Sequence, residues 1–195
     1  MHIQRTVVFM VTNGSGLGHL TRGLAVASRL KKIDDEINII FVTTSLATEV
    51  IREAGFMFYY IPTRGLMPVR SDEWNVYLQL QLQQIIEIYQ PIAFVYDGAY
   101  PYACIMTQLT QCKHIKKIWI KRECYKENSM SFEKEEKRFD LIIVPKESSE
   151  EIESRVSNKV YCEPIIFLDE EEAHPRNQIR ERFNLTEEDL SLIHI

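Results

Sequence analysis

Short apolar segments and longer amphipathic segments alternate along most of the chain. The short segments are rich in branched residues and predict β-strands, whereas apolar residues three and four positions apart in the longer segments predict helices. The predicted strands cover residues 6–12, 37–43, 56–61, 92–96, 117–121, 141–144 and 159–163. The predicted helices cover residues 19–32, 46–54, 74–89, 102–111, 132–138 and 147–154. Because strands that alternate with helices pair in parallel and are covered on both faces, the pattern predicts an α/β fold: a Rossmann-like, doubly wound parallel sheet of about seven strands.

The character of the sequence changes after the last of these strands. An acidic segment, residues 169–172, follows Pro164 and precedes His174 and Pro175, which predicts a linker. Residues 176–183 then predict one charged helix and residues 190–195 one strand, and such a pair cannot bury a core by itself. We therefore predict one domain over residues 1–166. In residues 167–195 we predict a linker and the first helix and strand of a second, truncated domain.

Size and charge narrow the class of protein. With 195 residues the chain can form one domain with a sizeable core, but not two large ones. Its net charge of -5 predicts no nucleic-acid partner, because nucleic-acid-binding domains are more often basic. No apolar run approaches the ~18 residues of a membrane span, and the first residues do not resemble a signal peptide. We expect a cytoplasmic protein, either free or peripheral at a membrane. The 4 cysteines form no Cys-x-x-Cys pair, so we predict neither a zinc site nor a disulfide framework.

The candidate chemistry begins in a glycine-rich loop between the first predicted strand and the first predicted helix. Glycines permit a tight turn and a close approach of the backbone to a ligand, and a helix N-terminus favours an anion or a polarised oxygen. We therefore predict that this loop binds substrate. The predicted binding residues in it are Gly14, Ser15, Gly16, Leu17 and Gly18.

Two common nucleotide-binding loops do not fit this segment. A dinucleotide-binding loop has the pattern Gly-x-Gly-x-x-Gly and an acidic residue at the end of the second strand. Here His19 stands where the third glycine is needed, and the second predicted strand ends at Thr43, followed by Thr44 and Ser45 and no carboxylate. A Walker phosphate loop needs Gly-Lys-Ser/Thr after the glycines, which is also missing.

The histidine at the end of the loop is a candidate catalytic residue. An imidazole takes up a proton near neutral pH, which is what the activation of a sugar or lipid hydroxyl requires. His19 is therefore a candidate general base, and the alternative that the sequence leaves open at this point is a helix-capping or solvated histidine.

The loop resembles the first loop of the GT-B glycosyltransferases, which include the peptidoglycan N-acetylglucosaminyltransferase and the UDP-glycosyltransferases of small molecules. The resemblance is carried by Gly-x-Gly-His and by the helix segment Leu24-Ala25-Val26-Ala27 that follows it. It continues in the segments at 139–145 and 160–165, which are similar to the last two strands before the interdomain linker of those enzymes. The chain is thereby identified as the N-terminal, acceptor-side domain of a GT-B enzyme.

The resemblance also implies roles for residues outside the loop. In the small-molecule branch the loop histidine is the catalytic base, and an aspartate at the end of the fourth strand is its partner. The matching residue here is Asp97, for which turn formation before Gly98 is the alternative. The loops at the same edge of the sheet would line the acceptor pocket. We expect acceptor contacts from Arg64, Tyr100 and Arg122, the alternative for the arginines being simple solvation.

The resemblance implies an inverting transfer of a sugar from a nucleotide sugar, with a UDP-sugar as the expected donor, to the hydroxyl of a small-molecule or lipid acceptor. No metal and no cofactor are expected. In such enzymes the C-terminal domain holds most of the donor, so we expect the chain alone to be inactive. The chain is then either a truncated product or a natural half-enzyme whose donor domain is a separate subunit. Two other functions stay open: a non-catalytic Rossmann-like module that binds a ligand or partner, and a fragment of a sugar-nucleotide epimerase.

Overall fold

The computed structural model describes residues 5–12, 16–122, 132–146, 158–168, 174–186 and 189. These residues divide into two compact units, one within Met1–Ile165 and one within Ile166–Ile195. The strands of the first unit are β1 Thr6–Val11, β2 Asn38–Thr43, β3 Met57–Tyr60, β4 Ala93–Asp97, β5 Lys116–Ile120, β6 Leu141–Pro145 and β7 Lys159–Cys162. Its helices are α1 Gly18–Ile33, α2 Thr48–Glu53, α3 Ser71–Tyr89, α4 Ala103–Gln111 and α5 Glu133–Glu136.

All seven strands belong to one parallel sheet in the order β3-β2-β1-β4-β5-β6-β7. The predicted α/β, doubly wound fold is therefore confirmed. From β1 the chain adds β2 and then β3 on one side of β1. Helix α3 then connects β3 to β4, which pairs with the other side of β1. The connections that follow β1 and β4 thus leave in opposite directions, which creates a topological switch point at the carboxyl ends of these two strands.

The helices bury one apolar cluster on each face of the sheet. On one face, Leu20 and Leu24 of α1 and Ile51 of α2 pack with β1 and β2. On the other face, α3 and α4 pack with β4 and β5. Apolar residues at spacings of three and four form one stripe along α3, and all but the last of them, which is partly buried, lie in the core: Trp74, Leu78, Leu82, Ile85 and Tyr89. Removal of this apolar surface from water stabilises the sheet by roughly 25 cal/mol per Å².

The structure extends α3 by one turn beyond its predicted start. The predicted helix begins at Trp74, the first residue of the apolar stripe, whereas the observed helix begins at Ser71. The backbone N–H of Arg70 donates to the Glu73 carboxylate at 2.9 Å, so a polar first turn is stabilised in front of the stripe.

The second unit contains one described helix, α6 Arg176–Arg182, which agrees with the predicted charged helix at 176–183. The predicted helix at 147–154 and the predicted strand at 190–195 lie outside the described residues. Within the described parts of the chain, no helix is both long enough and apolar enough to cross a membrane.

Candidate active site

The candidate site lies at the switch point between β1 and β4. Val11 and Asp97 are register partners in these two strands, and the backbone N–H of Thr12 donates to the Asp97 carbonyl oxygen at 3.0 Å. This bond continues the strand pairing one residue past the end of β1. Ligands of open α/β sheets bind at such a crevice, because the loops at its two sides diverge there.

Asp97 is fully buried at the end of β4, on the face of the sheet that α1 covers. Arg22 of α1 binds both oxygens of its carboxylate: Nε donates to Oδ2 at 2.8 Å and Nη2 donates to Oδ1 at 2.6 Å. A planar guanidinium and a planar carboxylate match in this two-bond arrangement, which fixes the orientation of both groups. The buried negative charge of Asp97 therefore has a partner of opposite charge.

His19, in the first turn of α1, contacts the same carboxylate. Its Nδ1 lies 2.7 Å from Asp97 Oδ1, and its side chain is 20% exposed. A carboxylate can only accept a hydrogen bond, so the proton of a neutral His19 belongs on Nδ1. The lone pair of Nε2, which has no hydrogen-bond partner among the described residues, is then able to accept a proton.

The position of α1 depends on close packing against β1. Gly23 follows Arg22 on the buried side of the helix, and a Cβ atom placed there would lie 2.6 Å from Val11 Cγ1. The absence of a side chain at Gly23 thus allows the helix to approach the strand. This approach places His19 and Arg22 beside the end of β4.

The glycine-rich loop is open to solvent where the structure describes it. Gly16, Leu17 and Gly18 are exposed, and a Cβ atom at either glycine would meet nothing within 4 Å. Neither glycine has a left-handed φ, so the fold itself does not require a glycine at these two positions. Gly14 and Ser15 lie outside the described residues.

Residues beside Asp97 form a buried polar network at the end of β4. The Tyr96 hydroxyl donates to the Tyr100 carbonyl oxygen at 2.7 Å and lies 3.2 Å from Thr12 Oγ1. Burial raises the pKa of Tyr96 far above its usual range, so this hydroxyl stays neutral and donates. A Cβ atom at Gly98 would collide with Thr12 Oγ1 and with the Tyr96 hydroxyl, so only glycine fits there without rearrangement. The network holds the turn that follows Asp97.

Among the contacts of the described residues, His19 and Asp97 are joined to Arg22 and not to Arg64 or Tyr100. Tyr100 is 42% exposed and donates to Glu135 Oε1 at 2.9 Å, and Arg122 is exposed at the residue after Lys121. Arg64 begins a short 3-10 turn, Arg64–Leu66, after β3. It lines a cavity of about 320 Å³. The other lining residues are Thr63, Gly65, Ser71, Trp74, Asn75 and Tyr102.

This cavity is formed at the N-terminal ends of α3 and α4, and therefore at the same edge of the sheet as the candidate site. Trp74 and Tyr102 meet edge to face with 5.3 Å between their ring centroids, and Trp74 Nε1 donates to the Pro62 carbonyl oxygen. A larger, open cavity of about 540 Å³ lies at the opposite edge and contains none of the predicted site residues. The described residues contain no cluster of three or more His, Cys, Asp or Glu side chains that could hold a metal ion.

Arg22 is the site residue that sequence analysis missed. A weak signal was present, because Arg22 follows His19 by three positions and residues at that spacing lie on neighbouring positions of one helix face. Its partner is 75 positions away in the sequence, and no local pattern connects the two residues.

Known structures share this fold, whereas no protein-family model and no curated protein matches the sequence. A glycosyltransferase from Rickettsia africae ESF-5 matches with a TM-score of 0.63 and 14% identity, over 95% of this chain and 51% of that chain. MurG of Acinetobacter baumannii matches with a TM-score of 0.60 and 11% identity, over 80% of this chain and 45% of that chain. A UDP-GlcNAc 2-epimerase from Neisseria meningitidis bound to UDP-GlcNAc matches with a TM-score of 0.51 and 12% identity, over 72% of this chain and 40% of that chain.

At these identities the matches establish a common fold. The chain spans about half the length of the two glycosyltransferases that it matches. Its fold is the Rossmann-like fold found in one half of GT-B glycosyltransferases, as the sequence resemblance predicts.

Proposed function

We propose that this chain is the acceptor-side half of an inverting glycosyltransferase. The whole enzyme transfers a sugar from a nucleotide sugar, expected to be a UDP-sugar, to an acceptor hydroxyl. The observation that carries the proposal is the 2.7 Å contact of His19 Nδ1 with the buried carboxylate of Asp97 at the switch point of the sheet. A histidine that donates one ring N–H to a carboxylate is oriented, and its other nitrogen can act as a base.

The proposed step is a single displacement. Nε2 of His19 removes the proton from the acceptor hydroxyl, and the oxygen attacks the anomeric carbon of the donor. The bond from that carbon to the diphosphate breaks, and the nucleoside diphosphate leaves with the bonding electron pair. The imidazolium that forms is stabilised by the negative charge of Asp97.

The exposed glycine loop supports a close approach of substrate to this base. Gly16 and Gly18 lie within three residues before His19, and a Cβ atom built at either glycine would meet no heavy atom within 4 Å other than its local backbone neighbours. Because the fold leaves this space open, a ligand can contact the loop backbone and the N-terminus of α1. Partial positive charge at that end of the helix favours an oxygen-rich substrate.

A second polypeptide segment is needed for the donor. The matched glycosyltransferases are about twice as long as the part that this chain covers. Because the resemblance to GT-B enzymes implies a C-terminal domain that holds most of the donor, we assign donor binding to the other half of the enzyme. We infer that this chain alone transfers no sugar, because a base without donor positioning and leaving-group stabilisation gives little acceleration. The other half is either a continuation of the same polypeptide or a separate donor-domain subunit.

The proposal is tested in the protein that contains both halves, by following UDP release from UDP-sugars with and without acceptor. His19→Ala should lower kcat by about 100- to 10,000-fold and leave donor binding nearly unchanged. His114→Ala is a suitable control, because His114 is exposed in a turn after α4. A kcat of His19→Ala close to that of the wild-type protein would show that His19 is not the base.

A sugar-nucleotide epimerase is the second candidate, since UDP-GlcNAc 2-epimerases also match the fold with TM-scores of 0.51 and 0.52. The two functions differ in their need for an acceptor. An epimerase interconverts its sugar nucleotide in the absence of any acceptor, whereas a transferase consumes donor in proportion to acceptor glycosylation. Incubation of the two-domain protein with UDP-GlcNAc alone, followed by separation of the sugar nucleotides, distinguishes them.

A further inference from the structure

The Asp97 carboxylate is held more firmly than a contact with His19 alone would hold it. Arg22 occupies Oδ1 and Oδ2 together, so the carboxylate cannot rotate without loss of a charge-assisted hydrogen bond. The Arg22 side chain is itself only 14% exposed, which limits the alternatives available to it. Arg22 therefore fixes the plane of the carboxylate and holds one of its oxygens beside His19.

Arg22 also restricts the ring nitrogen of His19. Its Nη2 lies 3.2 Å from His19 Nδ1, so a bond from Arg22 to an unprotonated Nδ1 is geometrically possible. In that state, however, two acceptors, Nδ1 and Asp97 Oδ1, would face each other at 2.7 Å with no proton between them. Because Arg22 fixes Oδ1 at that position, Nδ1 must carry the proton.

We propose that Arg22 is a positioning residue that fixes the tautomer of His19 through Asp97. The guanidinium holds the carboxylate in one orientation, the carboxylate holds the proton on Nδ1, and the lone pair stays on Nε2. The catalytic consequence rests on the proposed function, whereas the tautomer itself does not. If Arg22 were only a counter-ion for Asp97, its positive charge alone would matter, and a lysine could replace it without loss.

The tautomer can be measured directly in the 195-residue chain. Nitrogen-15 labelling of histidine and long-range proton–nitrogen NMR correlation distinguish a ring nitrogen that carries a proton from one that does not. The 5 histidines are assigned by comparison with His19→Gln. The variants are Arg22→Gln, which removes the charge, and Arg22→Lys, which retains the charge without the planar fork. Arg29→Gln is the matched control, because Arg29 lies on the same helix and donates to the Ala25 carbonyl oxygen.

In the wild-type chain and in Arg29→Gln, neutral His19 should show a single tautomer with the proton on Nδ1. In both Arg22 variants the Nδ1 and Nε2 signals should shift toward each other, as exchange between the two tautomers begins. An unchanged Nδ1–H tautomer in Arg22→Lys would reduce Arg22 to a counter-ion, and an Nε2–H tautomer in the wild-type chain would overturn the proposal. If Arg22→Gln does not fold, Arg22→Lys decides the question alone.

The activity of the two-domain protein gives an independent readout. Arg22→Lys should lower kcat by about 10- to 100-fold with little change in KM, because the base is misoriented while substrate contacts remain. A wild-type kcat in Arg22→Lys would contradict the catalytic role. Absence of transferase activity in the wild-type two-domain protein, together with an Arg22-dependent tautomer, would refute the proposed function and leave the positioning role intact.

Discussion

Replacement of Asp97 by asparagine tests the charge arrangement at the switch point. The asparagine side chain has the same shape, but it offers one acceptor oxygen and one NH₂ donor in place of two acceptor oxygens. Arg22, which donates to both oxygens of Asp97 at 2.8 and 2.6 Å, then loses one acceptor and its counter-charge. Wherever the NH₂ group points, it faces an N–H donor of Arg22 or His19.

The expected loss of folding stability in Asp97→Asn follows from the burial of the pair of Asp97 and Arg22. Removal of one partner from a buried ion pair costs about 3–5 kcal/mol, since the remaining charge is left uncompensated. Asp97 is fully buried but the Arg22 side chain is 14% exposed, so the lower end of that range, about 3 kcal/mol, is expected. A domain with a stability of about 5–15 kcal/mol remains folded after this loss. At about 2–4 °C per kcal/mol, Tm should fall by about 6–12 °C.

Thermal denaturation followed by circular dichroism measures this shift in the isolated chain. Asp34→Asn is the control, because Asp34 also pairs with an arginine, Arg5, at 2.8 Å, but the two side chains are 24% and 52% exposed. An exposed pair contributes about 0–1 kcal/mol, so the control should lose at most about 4 °C. Equal Tm values for the two variants would refute the assignment of a buried ion pair. In the transferase assay, the losses from Asp97→Asn and His19→Ala should be non-additive if the two residues act as a unit.

Two further predictions concern the sheet around the site. Burial raises the pKa of Glu136, but hydrogen bonds and charge from Lys121 and Lys159 outweigh burial and lower it below its ordinary value. The ion cluster of Glu136, Lys121 and Lys159 therefore stabilises the fold above about pH 4.3, and this stabilisation is lost as the pH falls through the lower pKa of the folded state. Urea denaturation should show that the free energy of unfolding falls less on acidification in Glu136→Gln than in the wild-type chain. Equal losses in the two proteins would contradict the lowered pKa. Gly23→Ala should lower the free energy of unfolding by about 0–2 kcal/mol. The cost of overpacking against Val11 is about 1–3 kcal/mol, and the gain in helix propensity offsets about 1 kcal/mol of it. The same substitution should be neutral or stabilising in a Val11→Ala background, and an equal cost in both backgrounds would exclude the steric explanation.

The class of fold, and the edge of the sheet at which the candidate site lies, could be predicted from the sequence alone. Apolar periodicity is a local property, and it identified β1 to β7 because parallel strands buried on both faces need continuous apolar runs. The family resemblance selected Asp97, and the rule that loops after parallel strands meet at one edge predicts that His19 and Asp97 lie at the same edge of the sheet. The family resemblance proposed a pairing of these two residues, and their side chains lie 2.7 Å apart, while the catalytic roles stay predictions.

The tertiary structure alone decided which charges meet. No local sequence pattern distinguishes Arg22 from the other arginines. Its contact with Asp97 depends on the adjacency of β1 and β4, on the face from which Asp97 projects, and on the close approach of α1 at Gly23. Arg64, predicted as an acceptor contact, lines a cavity together with Trp74. The N-terminal ends of α3 and α4 form this cavity. A hydrogen bond is made or lost over about 1 Å, whereas apolar periodicity tolerates an error of a residue or more at each element boundary. For this reason the pattern of the chain fixed the layers of the fold, and only the folded geometry assigned the partners within the site.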